Sequence, residues 1–329
     1  MYQPEAYGIA LSFMIVSMLC WGSWANTMKL TPGFAFQLFY WDYVIGILLG
    51  SLLWGLTLGN WGGGDLAFLS NIQQADSRHV LFAMAAGAIF NVANLLLVAA
   101  IDIAGLAVAF PIGIGLALVV GVLLNFALSP KGNPGLLFGG MALVVLAIIF
   151  DALAYRRREG ERPISVRGIW ISVACGLLMG IFYPLVTKAI TGEHSLGPYS
   201  VALFFAFGVA LCAIPVNYLF MKEPLTGTPP VSMGQYFRAS PAWHLWGIVG
   251  GLIWCTGTVF NFVASHAQII GPAVSYAIGQ GATMISAVWG VFIWKEFADA
   301  PKSSRKLIPA MFVFFLLGLG SIAIAPMVK

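Results

Sequence analysis

The sequence predicts an all-α integral membrane protein, ten transmembrane helices built as two inverted five-helix repeats. Three observations carry this reading. Apolar residues make up 60% of the 329-residue chain and charged residues 9%, where an ordinary soluble domain carries about 25% charge. The mean hydropathy is +0.91. The stretch Gly105–Gly115 (GLAVAFPIGIG) also returns as Gly271–Gly281 (GPAVSYAIGQG), about half a chain later and again inside a long apolar run. Phe110 is matched there by the aromatic Tyr276.

Crossing a bilayer as a helix takes roughly 20 apolar residues. Ten segments qualify: 7–28, 36–58, 80–101, 104–127, 135–155, 167–189, 198–221, 242–264, 268–294 and 307–326. Their apolar runs are continuous and do not alternate with polar residues, which favours helices over a barrel. The first segment has no basic residues before it and no evident cleavage site, so it reads as a retained helix. Between the second and third segments, the polar loop contains Asp65 to Gln73, a candidate interfacial helix. A matching loop, 222–241, follows the second segment of the other half.

The Arg-rich stretch 156–167 separates a first unit, 1–155, from a second, 168–329. Five segments per unit is an odd number, so the second unit begins on the opposite side and the copies are inverted. Charge orients them. Loops after odd-numbered segments hold Lys29, Arg156, Arg157, Arg158, Arg162, Arg167, Lys222, Arg238, Lys295, Lys302, Arg305 and Lys306. The opposite side holds Arg78, Lys131, Lys188 and Lys329. By the positive-inside rule the first set faces the cytoplasm. The central linker is then cytoplasmic and both termini lie outside the cell membrane. Pro111, mid-segment, is a candidate for broken backbone lining a cavity.

Polar residues deep in apolar segments are costly unless paired or wetted, which makes them the site candidates. Asn91 and Asn94 share a face of the third segment; Thr258 and Asn261 do so in the eighth. Trp24, Tyr183, Trp254, Tyr276 and Gln280 complete a set of amides, hydroxyls and flat rings with few charges. Such a set suits an uncharged planar or polyhydroxy solute, although each amide equally suits an interhelical hydrogen bond. Asp42 and Lys188 are the proton-coupling candidates, with Lys29 across the first linker as a structural partner that could neutralise Asp42. Asp102, Asp151 and Glu296 fall at segment ends and read as solvated or capping groups. The cysteines Cys20, Cys175, Cys212 and Cys255 form no close pair and read as small buried hydrophobes.

No metal, nucleotide or thiol motif stands out. The expectation is therefore no catalytic residues, no metal, no cofactor and no nucleic-acid partner. A small-molecule solute, protons and the lipid bilayer are the expected partners, acting on a monomer or homodimer.

Tyr40-Trp-Asp-Tyr43, Val80 to Gly87, Trp289 to Glu296 and Lys302 to Lys306 resemble the ureide permease family of the drug/metabolite transporter superfamily. The resemblance runs over nearly the whole chain and implies a ten-helix inverted-repeat fold. It also implies uptake of a small neutral oxo-heterocycle, a ureide such as allantoin or a nucleobase such as uracil, coupled to protons. Plant members carry a long central cytosolic segment with a Walker-A-like stretch, and here that linker is short. Many superfamily members place both termini in the cytoplasm, opposite to the charge count. The chain is also similar to bacterial glucose/ribose porters, so a sugar remains an alternative solute, and metabolite or drug export another direction.

Overall fold

A computed structural model describes residues 1–61, 67–160, 165–267 and 269–328, without the side chain of Glu159. Arg162 and Lys329 of the charge count, and Asp65 in the polar loop, lie outside the described residues. Ten helices are long and apolar enough to cross a membrane: α1 Tyr7–Leu30, α2 Phe36–Leu56, α3 Ser77–Ala104, α4 Leu106–Leu128, α5 Pro134–Arg158, α6 Val166–Ala189, α7 Pro198–Lys222, α8 Pro241–His266, α9 Pro272–Ile293 and α10 Lys302–Met327. The described residues contain no strand.

Local chemistry sets the helix starts. Pro134, Pro198, Pro241 and Pro272 open α5, α7, α8 and α9, where the missing N–H costs nothing and φ is already helical. Asn133 and Ser165 accept hydrogen bonds from the backbone N–H groups of Leu136 and Gly168, capping α5 and α6. The first residues of the duplicated stretch share one backbone conformation. Gly105 has φ 79° and ψ 160°, Gly271 φ 86° and ψ 165°. An L side chain is strained there, so the repeat preserves a turn as well as letters.

Pro111 does not break its helix: α4 continues through it. The interruption occurs in the other copy. There α9 consists of an α-helix Pro272–Gly279, a tight turn at Gln280 and Gly281, a second helix Ala282–Val288 and a π-helical turn Trp289–Ile293. The glycines flanking Gln280 favour the break, since glycine is a poor helix former.

The helices pack as two interleaved sets. Helix α3 lies on α6 and α7, and α8 lies on α1 and α2; α4 meets α6, and α9 meets α1. Across the middle α2 meets α7, α4 meets α9 and α5 meets α10. Advancing every helix by five places maps these pairs onto one another. The closest approaches repeat as well. A Cβ on Gly46 would stand 2.2 Å from the Ile248 carbonyl oxygen, and one on Gly251 2.0 Å from that of Tyr43. The α3/α7 pair repeats this at Gly87 against Phe205 and Gly208 against Met84, both at 2.0 Å. Small residues thus bring backbones together where lipid supplies no hydrophobic drive. Exposed leucines such as Leu49, Leu53, Leu211 and Leu316 leave an apolar exterior.

The polar loop after α2 folds back on the bundle. Its helix Phe68–Gln74 buries Phe68 beneath Gly55, and Asn71 bonds to the Ser195 carbonyl and the Gly197 N–H. The matching loop also carries a short helix, Met233–Phe237.

Candidate functional site

A cavity of about 350 Å³ occupies the middle of the bundle, within the usual range for small-molecule sites. Helices α1, α3, α4, α6, α8 and α9 all contribute walls, so no single half forms it. Trp21, Trp24, Phe90, Phe110, Phe182 and Trp254 supply the rings. Phe90 and Trp254, the last residues of the parallel stretches Gly87–Phe90 (GAIF) and Gly251–Trp254 (GLIW), stack with centroids 4.4 Å apart. Polar groups are few: Asn94, Asp102, Gln280, Thr283 and Ser286. Asn94 is 5% exposed, and its amide nitrogen, like that of Asn91, has no hydrogen-bond acceptor among the described residues. Gln280 reaches the wall from the break in α9.

Four sequence candidates, Trp24, Asn94, Trp254 and Gln280, therefore line one cavity. The other four do not. Asn91 is fully buried and accepts a hydrogen bond from the Tyr40 hydroxyl at 2.9 Å. Tyr183, Asn261 and Tyr276 belong to a packed layer toward the ends of α4, α6 and α8 remote from the Arg-rich side. The Tyr183 hydroxyl donates to the side-chain Oδ1 of Asn261. The Asn261 amide donates to the Ser275 carbonyl at 3.0 Å, and Ser275 Oγ returns a bond to Asn261 at 2.9 Å. The Tyr276 hydroxyl reaches the carbonyls of Ala117 and Met179. Thr187 donates to Asn125 at 2.6 Å. Each of Asn125, Tyr183, Asn261, Ser275 and Tyr276 is fully buried.

Toward the Arg-rich side two further spaces share walls with the cavity. A second space of about 240 Å³ shares Ala25, Phe110, Thr283 and Ser286 with it and is bordered by Lys29, Asp151, Tyr155 and Glu296. A third, about 350 Å³, shares Val98 and Asp102 with it and runs beside Gln37 and Gln235.

The charged groups depart from expectation. Lys29 does not neutralise Asp42: its ammonium lies 2.8 Å from Glu296 and over the Trp294 ring. Asp42, 2% exposed, accepts from the Tyr236 hydroxyl at 2.6 Å and pairs with His244 at 2.7 Å. It thereby ties the Met233–Phe237 loop helix to α2 and α8 and borders none of the three spaces. Burial and the adjacent carboxylate push the Tyr236 phenol above its ordinary range. Lys188 is exposed at the end of α6, near the Phe82 ring and away from the cavity.

Glu296 is no solvated cap. It accepts from Lys29, from the Tyr155 hydroxyl at 2.8 Å and from Arg158 at 3.2 Å. Burial alone would raise its pKa, but the bonds from Lys29, Tyr155 and Arg158 outweigh it and hold the carboxyl below its ordinary value. The π-helical turn and the positive φ of Lys295, 50°, aim this residue back into the bundle. Both features recur at functional sites. Sequence reasoning gave Glu296 no site role because its partners are 138 to 267 residues away. The signal for Phe110 was present: it matches Tyr276 in the repeat.

Known proteins agree with this architecture. Ureide permease 1 of Arabidopsis thaliana is 23% identical over 97% of both chains, and ureide permease 2 of the same plant is 22% identical over 98% of both. A Listeria monocytogenes protein named for sugar uptake is 22% identical over 82% of this chain and 87% of its own. One crystal structure superimposes over 96% of both chains with a TM-score of 0.64 at 17% identity, which speaks for the fold alone. These relatives are permeases and uptake proteins, and the chain is a multi-pass membrane transporter of small solutes rather than an enzyme. The family described as sugar transport protein matches residues 9–326, almost the entire length, and the chain belongs to that family.

Proposed function

We propose that this transporter takes up a small neutral heterocycle, a ureide such as allantoin or a nucleobase such as uracil, in company with protons. The observation that carries the reading is the Asn94 amide nitrogen, buried without an acceptor beside rings of Trp21, Trp24, Phe90 and Trp254. A buried donor left unpaired costs about 1–3 kcal/mol, and a solute carbonyl oxygen would relieve that cost. Gln280 offers a donor and an acceptor to a ring amide. The aromatic faces accept a flat ring by stacking. A sugar presents many hydroxyls, each needing a partner once desolvated, and this wall holds few polar groups.

Alternating access completes the reading. The basic end is the cytoplasmic end and both termini lie outside the cell membrane. The halves are inverted copies that rock about the cavity, and the arrangement described above is the cytoplasm-facing state, with the Tyr183–Asn261–Ser275 layer as the closed outer gate. Asn91 and the gate residues act on the solute through packing, and Asp42 through the loop it anchors.

A sugar is the second reading, favoured by the family description and by the Listeria relatives. Uptake of radiolabelled allantoin, uracil, glucose and ribose into proteoliposomes under an imposed pH gradient separates the two. The first reading expects gradient-driven accumulation of allantoin or uracil, weakened about tenfold in apparent affinity by Asn94→Leu. One lost hydrogen bond of about 1.4 kcal/mol accounts for that factor. Accumulation of the sugars alone transfers the assignment to the second.

A further inference from the structure

The chamber between the cavity and the Arg-rich end contains an acid with no role so far. Asp151 on α5 is 8% exposed and borders the 240 Å³ space that shares Phe110 and Thr283 with the cavity. Tyr155 lies one turn further along the same face of α5. Its hydroxyl hydrogen is already given to Glu296, which also takes Lys29 and Arg158. The charged neighbour of Asp151 is Glu296 itself, of like sign, and no hydrogen bond from a described residue reaches the Asp151 carboxylate. The cations of the chamber are thus committed to one carboxylate while the other, more buried, has none.

The remaining described residues offer Asp151 no partner. Helix α4, packed against α5, has no titratable side chain. Helix α10 has Lys302, Arg305 and Lys306, all exposed at its first turns. Arg157 turns to the Ser303 carbonyl, and Lys295 is exposed. An anion inside a span with no countercharge is unfavourable. A carboxylic acid at the same place is uncharged and can donate a hydrogen bond.

We propose that Asp151 is the residue that binds the coupling proton, with Glu296 beside it as the fixed anion of the chamber. This rests on the proton-driven reading above and names its carrier. The O–H bond forms on Asp151 from water on one side of the membrane and breaks to water on the other. Each loaded cycle then moves one proton with one solute and consumes no other reactant. The chamber and the solute cavity share the Phe110 and Thr283 walls, so occupation of one bears on the packing of the other. Asp42, secured by Tyr236 and His244, borders neither.

The test uses the full-length protein in liposomes with radiolabelled allantoin and uracil, and reads three signals. These are solute-for-solute exchange without a gradient, accumulation under an inward pH gradient, and the internal pH change reported by trapped pyranine. Asp151→Asn is expected to lose accumulation and the solute-linked pH change at least tenfold, while exchange falls less than threefold. Asp151→Glu is expected to regain accumulation with a displaced pH dependence, which shows that a folding defect does not explain the loss. Gradient-driven accumulation by Asp151→Asn equal to that of the parent overturns the assignment. Accumulation that follows a sodium gradient and ignores pH overturns it too. A parent protein that carries neither probe removes the underlying reading as well, an outcome distinct from a variant-specific failure.

Discussion

Glu296 illustrates how one side chain can organise a region. Lys29 from α1, Tyr155 and Arg158 from α5, and the turn after α9 all converge on it. Gly290 leaves room: a Cβ there would come within 3.1 Å of the Tyr155 hydroxyl and 3.3 Å of the carboxylate. The sign of the pH effect follows from its lowered pKa. A carboxyl with a folded value below the unfolded one, about 4.3, contributes in full above that value. It loses the contribution as pH falls through the folded value. Glu296→Gln is therefore expected to lower stability by roughly 1–3 kcal/mol near pH 7, with the deficit shrinking toward pH 3. Thermal unfolding in detergent across that range checks it, and a deficit independent of pH rejects the ion-pair account. Asp42 is a contrasting acid, equally visible in the sequence but used to hold a loop.

At the scale of elements, the two copies of the repeat diverge past their first residues. Both begin at a glycine with nearly the same positive-φ geometry. Beyond that start α4 stays continuous through Pro111, whereas α9 breaks at Gln280 and tightens again at Trp289. Replacing Gly105 or Gly271 by alanine forces a side chain into a conformation that only glycine adopts freely. Each change is expected to cost about 1–3 kcal/mol, read as a lower unfolding temperature. Gly320→Ala, in α10 with nothing near its added methyl, serves as the reference and should be neutral or mildly stabilising. Equal behaviour of all three variants would mean the start geometry is unimportant. The ten spans themselves were legible in the sequence to within a few residues, because hydropathy and length are summed locally. The break in α9 was missed, since Pro111 in the matching stretch was the stronger local signal.

For the whole molecule, the consequential feature is asymmetry between matched parts. Tyr276 is fully buried and hydrogen-bonded to α4 and α6. Its counterpart Phe110 is partly exposed and borders both the cavity and the chamber. Inverted halves that exchange environments would place Phe110 in packed surroundings and bring Tyr276 to the open wall. A direct consequence concerns access. In a background without Cys20, Cys175, Cys212 and Cys255, Phe110→Cys should react with a membrane-impermeant thiol reagent supplied at the Arg-rich side. It should do so at least tenfold faster than Ala277→Cys, which replaces a fully buried alanine. Comparable rates would contradict the assigned facing. Of the eight solute candidates, Trp24, Asn94, Trp254 and Gln280 come together at the cavity, and the other four consolidate the walls.

The sequence by itself determined the membrane setting, the ten spans, the duplicated stretch and the kind of chemistry available to a solute. Those properties depend on composition and on spacing along the chain. Only the tertiary structure decided which amides stay unpaired, which acid finds cations and which residues line the cavity. The reason is physical: a buried polar group takes its role from neighbours on other helices. Related segments, once packed against different partners, become a packed layer in one half and a cavity wall in the other.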